Sequence, residues 1–338
     1  MQTKSKGSWG TFFRIGVTIG ILGFFASTLD WEELGKQFTG IDARWLAAAI
    51  GVFGAVMGLI SLRWWTLLKV QEVQLPVKTA TALTLIGQFF NTFLPGSVGG
   101  DVVKIFYILK YAPQRKARAA LSIVMDRFVG ICVLLTLAVA TLPWQIKYFS
   151  HYPELRAVMW TLSGFFGIVV FGILFLAFIP FRRFPKKLKN LWKKLPKHEV
   201  VETLVDGFRH HGRAPKLTFQ VIGYCVLVHL CGFLMGWCLT RALHLDVGFF
   251  QIMIVLAVVY ILMSLPVSIS GHGMREFGAV LMFSAYGVIT VDSITSIGQE
   301  PAIAFSLLLF AVNLFWGLVG GIIYLTFRHN EKVVTSHL

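Results

Sequence analysis

The stretch that decides the fold is QFFNTFLPGSVGGDVVKIF, residues 88–106, because a second version of it, YILMSLPVSISGHGMREF, occurs at residues 260–277. At an offset of 171 residues, Pro95 falls on Pro266. Each copy has an apolar arm, a turn rich in proline, serine and glycine, and a second apolar arm that begins near charged residues. The chain therefore contains an internal repeat of a hairpin-like segment.

The composition around these hairpins is that of a membrane protein. Hydrophobic residues make up 56% of the chain and charged residues 14%, whereas soluble domains are about half apolar and about one quarter charged. The net charge of +15 lies mainly in loops between long apolar runs, so membrane orientation and anionic lipid explain it better than a nucleic-acid partner. The four cysteines lie inside apolar runs without metal-ligand spacing, which indicates packing residues and no metal or cofactor.

We predict an all-α integral membrane protein with six transmembrane helices and two re-entrant hairpins. The spanning runs cover about residues 12–29, 45–65, 119–142, 158–180, 217–240 and 302–327. The first run is also compatible with a signal peptide, but it lacks a small-residue cleavage site, so we interpret it as a helix. The hairpin arms are shorter than the roughly 20 residues of a full span. Re-entrant hairpins and pairs of full spans both remain open at this point.

The chain reads as a single membrane domain, 1–338, with repeat one at about 43–142 and repeat two at about 214–327. A basic loop, 181–216, contains eleven lysines and arginines, with apolar residues at helical spacing. This pattern predicts an amphipathic helix on an anionic membrane surface.

Loop charges set the expected topology. Placing both termini and the basic loop in the cytoplasm collects nearly all loop lysines and arginines on that side. The loop at the end of the second run, from Arg63 to Lys78, then lies in the cytoplasm as well. On this path the first hairpin enters from the cytoplasm and the second from outside, which makes the repeat inverted.

If both hairpins are re-entrant, their turns meet near the bilayer midplane. The arms that begin at Asp101 and Gly273 would then point their unpaired N–H groups at a shared site, which suits an anion. Lys104 and Arg275, at the same repeat position, would add full charges. The alternative is that both turns are ordinary helix–helix connections at a membrane surface.

Polar residues of the first hairpin and third run have both functional and structural interpretations. Thr81, Thr84, Gln88 and Asn91 share one helical face, which fits either a transport path or interhelical hydrogen bonds. Asp101 and Lys104 are close enough to pair, and Asp126 and Arg127 can pair across to them. We predict the following substrate-binding residues: Gln88, Asn91, Ser97, Gly99, Gly100, Asp101, Lys104, Asp126, Arg127, Ser268, Ser270, Gly271, His272, Arg275 and Glu276.

The sequence resembles the flippase-like domain family, also described as the lysylphosphatidylglycerol synthase transmembrane region. The matching pieces are NTFLPGSVGGDVVKIFYI, the MDR motif that ends at Arg127, and LPVSISGHGMREFGAV. The resemblance covers most of the chain. It implies a multi-pass protein of the bacterial inner membrane that moves a lipid between leaflets or helps to move it.

We therefore expect a flippase for an anionic phospholipid or a polyprenyl-phosphate-linked lipid. A secondary transporter of a small anionic solute and a non-catalytic membrane partner of a lipid-modifying enzyme are the alternatives. An enzyme is disfavoured because no catalytic triad or metal cluster is visible, although Asp126 or Glu276 could act as a base.

Overall fold

A computed structural model describes residues 8–94, 99–145, 153–178, 214–264, 271–289 and 299–335. These residues form eleven α-helices and no strand. The helices are α1 Ser8–Thr28, α2 Trp31–Thr39, α3 Ala43–Val70, α4 Val77–Phe93, α5 Gly99–Tyr111, α6 Lys116–Thr141, α7 Pro153–Phe178, α8 Pro215–Ala242, α9 Phe249–Ser264, α10 Met274–Ala285 and α11 Glu300–Thr335. The predicted amphipathic helix of the basic loop lies outside the described residues.

Four helices are long and apolar enough to cross a membrane, which supports the all-α membrane class. They lie at Ala43–Val70, Lys116–Gln145, Pro215–Ala242 and Glu300–Phe327. Shorter apolar helical segments occur at Thr18–Thr28, Arg156–Gly172 and Phe249–Ser264.

One predicted helix boundary is wrong. We expected the second spanning run to end near Trp65, with Arg63 among the loop charges. Instead α3 continues to Val70, and Arg63 is buried inside it. The apolar residues Leu67, Leu68 and Val70 extend the buried face of the helix by more than one turn beyond the arginine.

α3 and α8, which precede the two hairpins, have the same length and lie antiparallel. Each has 28 residues. The backbone N–H of Asp42, just before α3, donates to the carbonyl of Ala242 at the end of α8, over 3.0 Å. Corresponding helices that run in opposite directions are what an inverted repeat requires.

The hairpins are formed by α4 with α5 and by α9 with α10, and each packs on a helix of the other half. α4 lies against α11, and α9 lies against α6. The α4–α11 contact depends on Gly317, Gly320 and Gly321, where α11 has no side chains to separate the backbones. A Cβ on Gly320 would overlap the carbonyl oxygen of Leu85.

α9 is enclosed by protein. Its residues from Ile252 to Ala257 are all buried, and it contacts α6, α8 and α10. A helix that is apolar and buried on all sides belongs to a core rather than to a surface. The first arm of the second hairpin therefore lies inside the helix bundle.

Candidate functional site

The first cluster of polar residues lies where α3, α5, α6 and α8 meet, and a buried ion pair forms its base. Arg63 Nε donates to Asp126 Oδ1 over 2.7 Å, and Arg63 Nη2 donates to Asp126 Oδ2 over 2.9 Å. The remaining terminal nitrogen, Nη1, donates to Cys225 Sγ over 3.2 Å. This bidentate arrangement satisfies both charges and links three helices.

Lys104 lies beside this pair and is only 6% exposed. Its ammonium is 4.3 Å from the centroid of the Trp64 ring, within cation–π distance. The Trp64 indole in turn donates to Ser122 Oγ over 3.2 Å. Within the described ranges Lys104 forms no ion pair, so its buried charge is balanced by an aromatic face and by more distant carboxylates.

Asp101 pairs with Arg127 instead of Lys104. Arg127 Nε donates to Asp101 Oδ2 over 2.7 Å and joins the start of α5 to α6. The Arg127 side chain is 50% exposed, whereas that of Asp101 is 15% exposed. Of the two pairings that the sequence allowed for Asp101, the structure has the one that crosses between helices.

The second cluster is held together by residues of α10 and α11. The guanidinium of Arg275 pairs with the carboxylate of Glu276, and Arg275 Nε also donates to Ser306 Oγ over 2.7 Å. Ser306 donates to Glu276 Oε1 over 3.1 Å. Every charged group of this cluster is buried and hydrogen-bonded, so the second cluster is a closed network.

Phe310 covers this network from α11. The guanidinium carbon of Arg275 is 5.2 Å from the Phe310 ring centroid. The His272 ring contacts the same phenyl ring edge-on, also at 5.2 Å. Arg275 thus has an aromatic neighbour in α11, as Lys104 has one in α3.

The polar face of α4 is occupied by hydrogen bonds. Thr84 bonds back to its own helix, Gln88 Nε2 donates to Asn313 Oδ1 over 3.1 Å, and Asn91 Oδ1 accepts from the Gly100 N–H over 2.7 Å. Hydrogen bonds within and between helices therefore account for the polar residues on this face of α4. The Gln88–Asn313 bond also ties the first hairpin to the helix that contributes Ser306 and Phe310 to the second cluster.

At each of the two helix starts, one of the N–H groups that we predicted to be unpaired is bound by a side chain. The Gly100 N–H at the start of α5 is bound by Asn91. The Gly273 N–H at the start of α10 donates to Glu276 Oε2 over 2.7 Å. These two donors are satisfied by side chains of the same hairpin, whereas the cationic side chains beside them carry full charges that suit an anion.

Comparison with known families identifies the chain. The family model described as the lysylphosphatidylglycerol synthase TM region matches residues 11–321. The chain belongs to this family. The match confirms the resemblance seen in the sequence and makes the chain an integral membrane protein related to lipid metabolism or transport. No curated protein matches the chain in a direct comparison.

The structure places most of the predicted residues of this family member in one of the two clusters or beside it. Gly99 packs closely against Leu94, and Gly271 has a φ of 77°, a backbone conformation that favours glycine. Ser97, Ser268 and Ser270 lie outside the described residues.

The sequence did not lead us to three cluster or hairpin contacts: the burial of Arg63, the hydrogen bonds of Ser306, and the hydrogen bond between Asn313 and Gln88. Arg63 was counted as a loop charge, although an apolar run follows it and indicates that the helix continues. Ser306 and Asn313 are seven residues apart and share a face of α11. That spacing in an apolar helix was an available signal.

No group of three or more potential metal ligands occurs in the part of the chain that the structure describes. A groove of about 320 Å³ lies between α4 and α11, lined by Val77, Lys78, Thr81, Ala82, Leu85 and Ile323. It contains none of the predicted site residues and lies apart from both clusters.

Proposed function

We propose that the chain is a lipid flippase of the bacterial cytoplasmic membrane. It moves an anionic phospholipid or a polyprenyl-phosphate-linked lipid between leaflets. The observation that carries this proposal is the pair of cations Lys104 and Arg275, which occupy the same position in the two hairpins and are each 6% exposed.

Burying a lysine or arginine among apolar groups costs free energy, so a function is the first explanation to test for such a residue in a membrane protein. A phosphate group supplies one, because it can accept hydrogen bonds from an ammonium or a guanidinium with full charge compensation. Lys104 is the better candidate for direct contact, since its described neighbours leave it without an ion pair. Arg275 is held by Glu276 and Ser306 and must exchange partners to bind substrate.

The proposed membrane topology has six spanning helices, two re-entrant hairpins and both termini in the cytoplasm. The charge distribution along the chain supports this orientation. The antiparallel relation of α3 and α8 supports hairpins that enter from opposite faces. The shortness of α5 and α10, with 13 and 12 residues, supports re-entrant arms rather than full spans.

In the proposed mechanism the headgroup moves through the protein while the acyl chains stay in lipid. The phosphate is exchanged between the first and second clusters, and the row formed by Ser306, Phe310 and Asn313 on α11 leads from the second cluster to Gln88 of the first hairpin. Rocking of one half against the other opens this path to each leaflet in turn. The chain performs no covalent chemistry in this scheme and needs no metal or cofactor.

The test is lipid movement in proteoliposomes that contain a fluorescent phosphatidylglycerol or a fluorescent polyprenyl phosphate. Lys104→Gln should lower the protein-dependent rate at least about tenfold, the loss expected for a hydrogen bond to a charged group. Lys110→Gln is the matched control, because Lys110 is an exposed lysine of the same helix. Equal rates for wild type and Lys104→Gln would reject the proposal.

Arg275 requires a variant that keeps its charge, because its loss can also disturb folding. Arg275→Lys should fold and retain part of the transport rate, whereas Arg275→Gln should lose it. Arg44→Gln, at an exposed arginine of α3, is the matched control. Thermal unfolding of each purified variant separates a folding defect from a transport defect.

A further inference from the structure

The ion pair of Asp101 and Arg127 differs from the other pairs in the two clusters because it reaches the surface of the helix bundle. Half of the Arg127 side chain is exposed. The side chains of Arg63, Lys104, Arg275 and Glu276 are all buried. A solute or lipid that approaches from outside therefore meets Arg127 before any other cation of the clusters.

The surface around Arg127 is apolar. Val124 and Ile131, three and four residues away on α6, share its helical face and are exposed. Val102 and Phe106 form the exposed face of the neighbouring helix α5. An exposed apolar surface on a helix this hydrophobic faces acyl chains, so the guanidinium interrupts a lipid-facing surface.

Arg127 is also far from the ends of its helix. It lies eleven residues after Lys116, the first residue of α6, which corresponds to about 16 Å at 1.5 Å per residue. If α6 crosses the membrane, as its length and hydropathy allow, an arginine at that distance from the helix end lies within the hydrocarbon layer. Such a position is costly unless the side chain snorkels or meets an anionic group.

Asp101 provides that anionic group, and Lys104 follows it by three residues on α5. Lys104 is one turn further along α5, on the buried face next to Trp64. Asp101 and Lys104 begin neighbouring turns of the same short helix, so the carboxylate that binds the exposed guanidinium is also the nearest acidic group of α5 to the buried ammonium. It occupies the position on Arg127 that an incoming phosphate would take.

We propose that a lipid phosphate enters laterally between α5 and α6, binds Arg127 first, and displaces the carboxylate of Asp101 before it reaches Lys104. The acyl chains remain outside, against Val102 and Phe106. This inference rests on the proposed lipid transport and specifies where the substrate enters. The second cluster exposes no comparable cation in its described residues, so the lateral entry belongs to the first half.

The inference predicts opposite effects for the two members of the pair. Arg127→Gln removes the first phosphate contact and should weaken lipid capture about tenfold. Asp101→Asn removes the competing carboxylate and should strengthen capture, although it removes the same ion pair. A purely structural ion pair would give both variants the same effect.

Capture is measured by photolabelling in nanodiscs, with a phosphatidylglycerol that carries a diazirine close to its headgroup. A diacylglycerol with the same diazirine lacks the phosphate and is the reference lipid. Mass spectrometry should find residues 99–131 labelled more strongly by phosphatidylglycerol than by diacylglycerol. The lipid-exposed residues Leu318, Ile322 and Leu325 of α11 should be labelled equally by both.

Arg127→Gln should abolish the preference for phosphatidylglycerol at residues 99–131, and Arg127→Lys should retain part of it. No preference in the wild type, or a preference that survives Arg127→Gln, would overturn the lateral entry. So would weaker capture in Asp101→Asn, provided that its thermal unfolding matches the wild type.

Lys104→Gln distinguishes this inference from the proposed function. If entry and transport are both right, this variant keeps the labelling preference and loses lipid movement. If the preference depends on Arg127 but lipid movement does not depend on Lys104, the lipid site stands and the flippase proposal fails.

Discussion

The two hairpins place a cation at the same repeat position but neutralise it in different ways. Lys104 of the first hairpin has an aromatic neighbour at 4.3 Å and draws on carboxylates that are paired with other residues. Arg275 of the second has its carboxylate in the next residue, Glu276, and a serine on α11. The first cluster depends on contacts between helices, whereas the second is largely contained within one helix turn.

This difference assigns different tasks to equivalent positions. A closed and buried network is costly to open, because each member loses a hydrogen-bond partner that water cannot replace. The second cluster is therefore the harder of the two to open, and it holds the start of α10 against α11 until Arg275 exchanges partners. The first cluster has an exposed member and an ammonium without a described ion-pair partner, which makes it the better place to exchange partners with a ligand.

The largest expected effect comes from breaking the closed network. Glu276→Gln leaves the buried guanidinium of Arg275 without a charged partner, which should lower the free energy of unfolding by about 3–5 kcal/mol. Thermal unfolding in detergent measures the loss. The double variant Arg275→Met with Glu276→Met removes both charges and should recover much of the stability. A single variant as stable as the wild type would show that the second cluster is not closed.

A smaller loss of stability is expected at the points where the two helices of each hairpin cross, and it should differ between the hairpins. In the first hairpin, a Cβ on Gly100 would overlap the backbone of Gly87. In the second, a Cβ on Gly278 would lie 3.0 Å from a terminal methyl of Leu262, and a side chain can move. Gly100→Ala should therefore cost about 1–3 kcal/mol, and Gly278→Ala should cost less.

The same unfolding measurement tests this order. Gly58→Ala is the control, since its added methyl group would have nothing within 4 Å. If Gly278→Ala proves as destabilising as Gly100→Ala, the helices of the two hairpins pack equally closely and the hairpins do not differ in this respect.

The smallest effect concerns a hydrogen bond between the first hairpin and α11. Loss of the Gln88–Asn313 contact in Asn313→Leu should cost about 0.6–2 kcal/mol, the range for polar contacts between membrane helices. A double-mutant cycle with Gln88→Leu isolates the pair. A coupling energy of zero would mean that α4 and α11 are held by their glycine and aromatic packing without help from this hydrogen bond.

How far the site could be predicted depended on where each partner lies in the chain. Arg275 and Glu276 are adjacent in sequence, and both were among the predicted site residues. Arg63 and Asp126 are 63 residues apart, and their pairing was missed because the end of α3 was placed too early. Asp101 was expected to pair with Lys104 or across to the third run, and the choice of Arg127 over Lys104 needed the orientation of both helices.

The amino-acid sequence by itself determined the membrane character, the family and the repeated hairpin, because hydropathy, motif spelling and repeat offset are properties of the chain. Only the tertiary structure decided which charges are buried, which pair with each other and which reach the surface. Those outcomes follow from the rotation of α3, α5, α6 and α8 about their axes. Close packing sets such rotations, through contacts such as that of Gly100 with Gly87, which fixes α5 against α4.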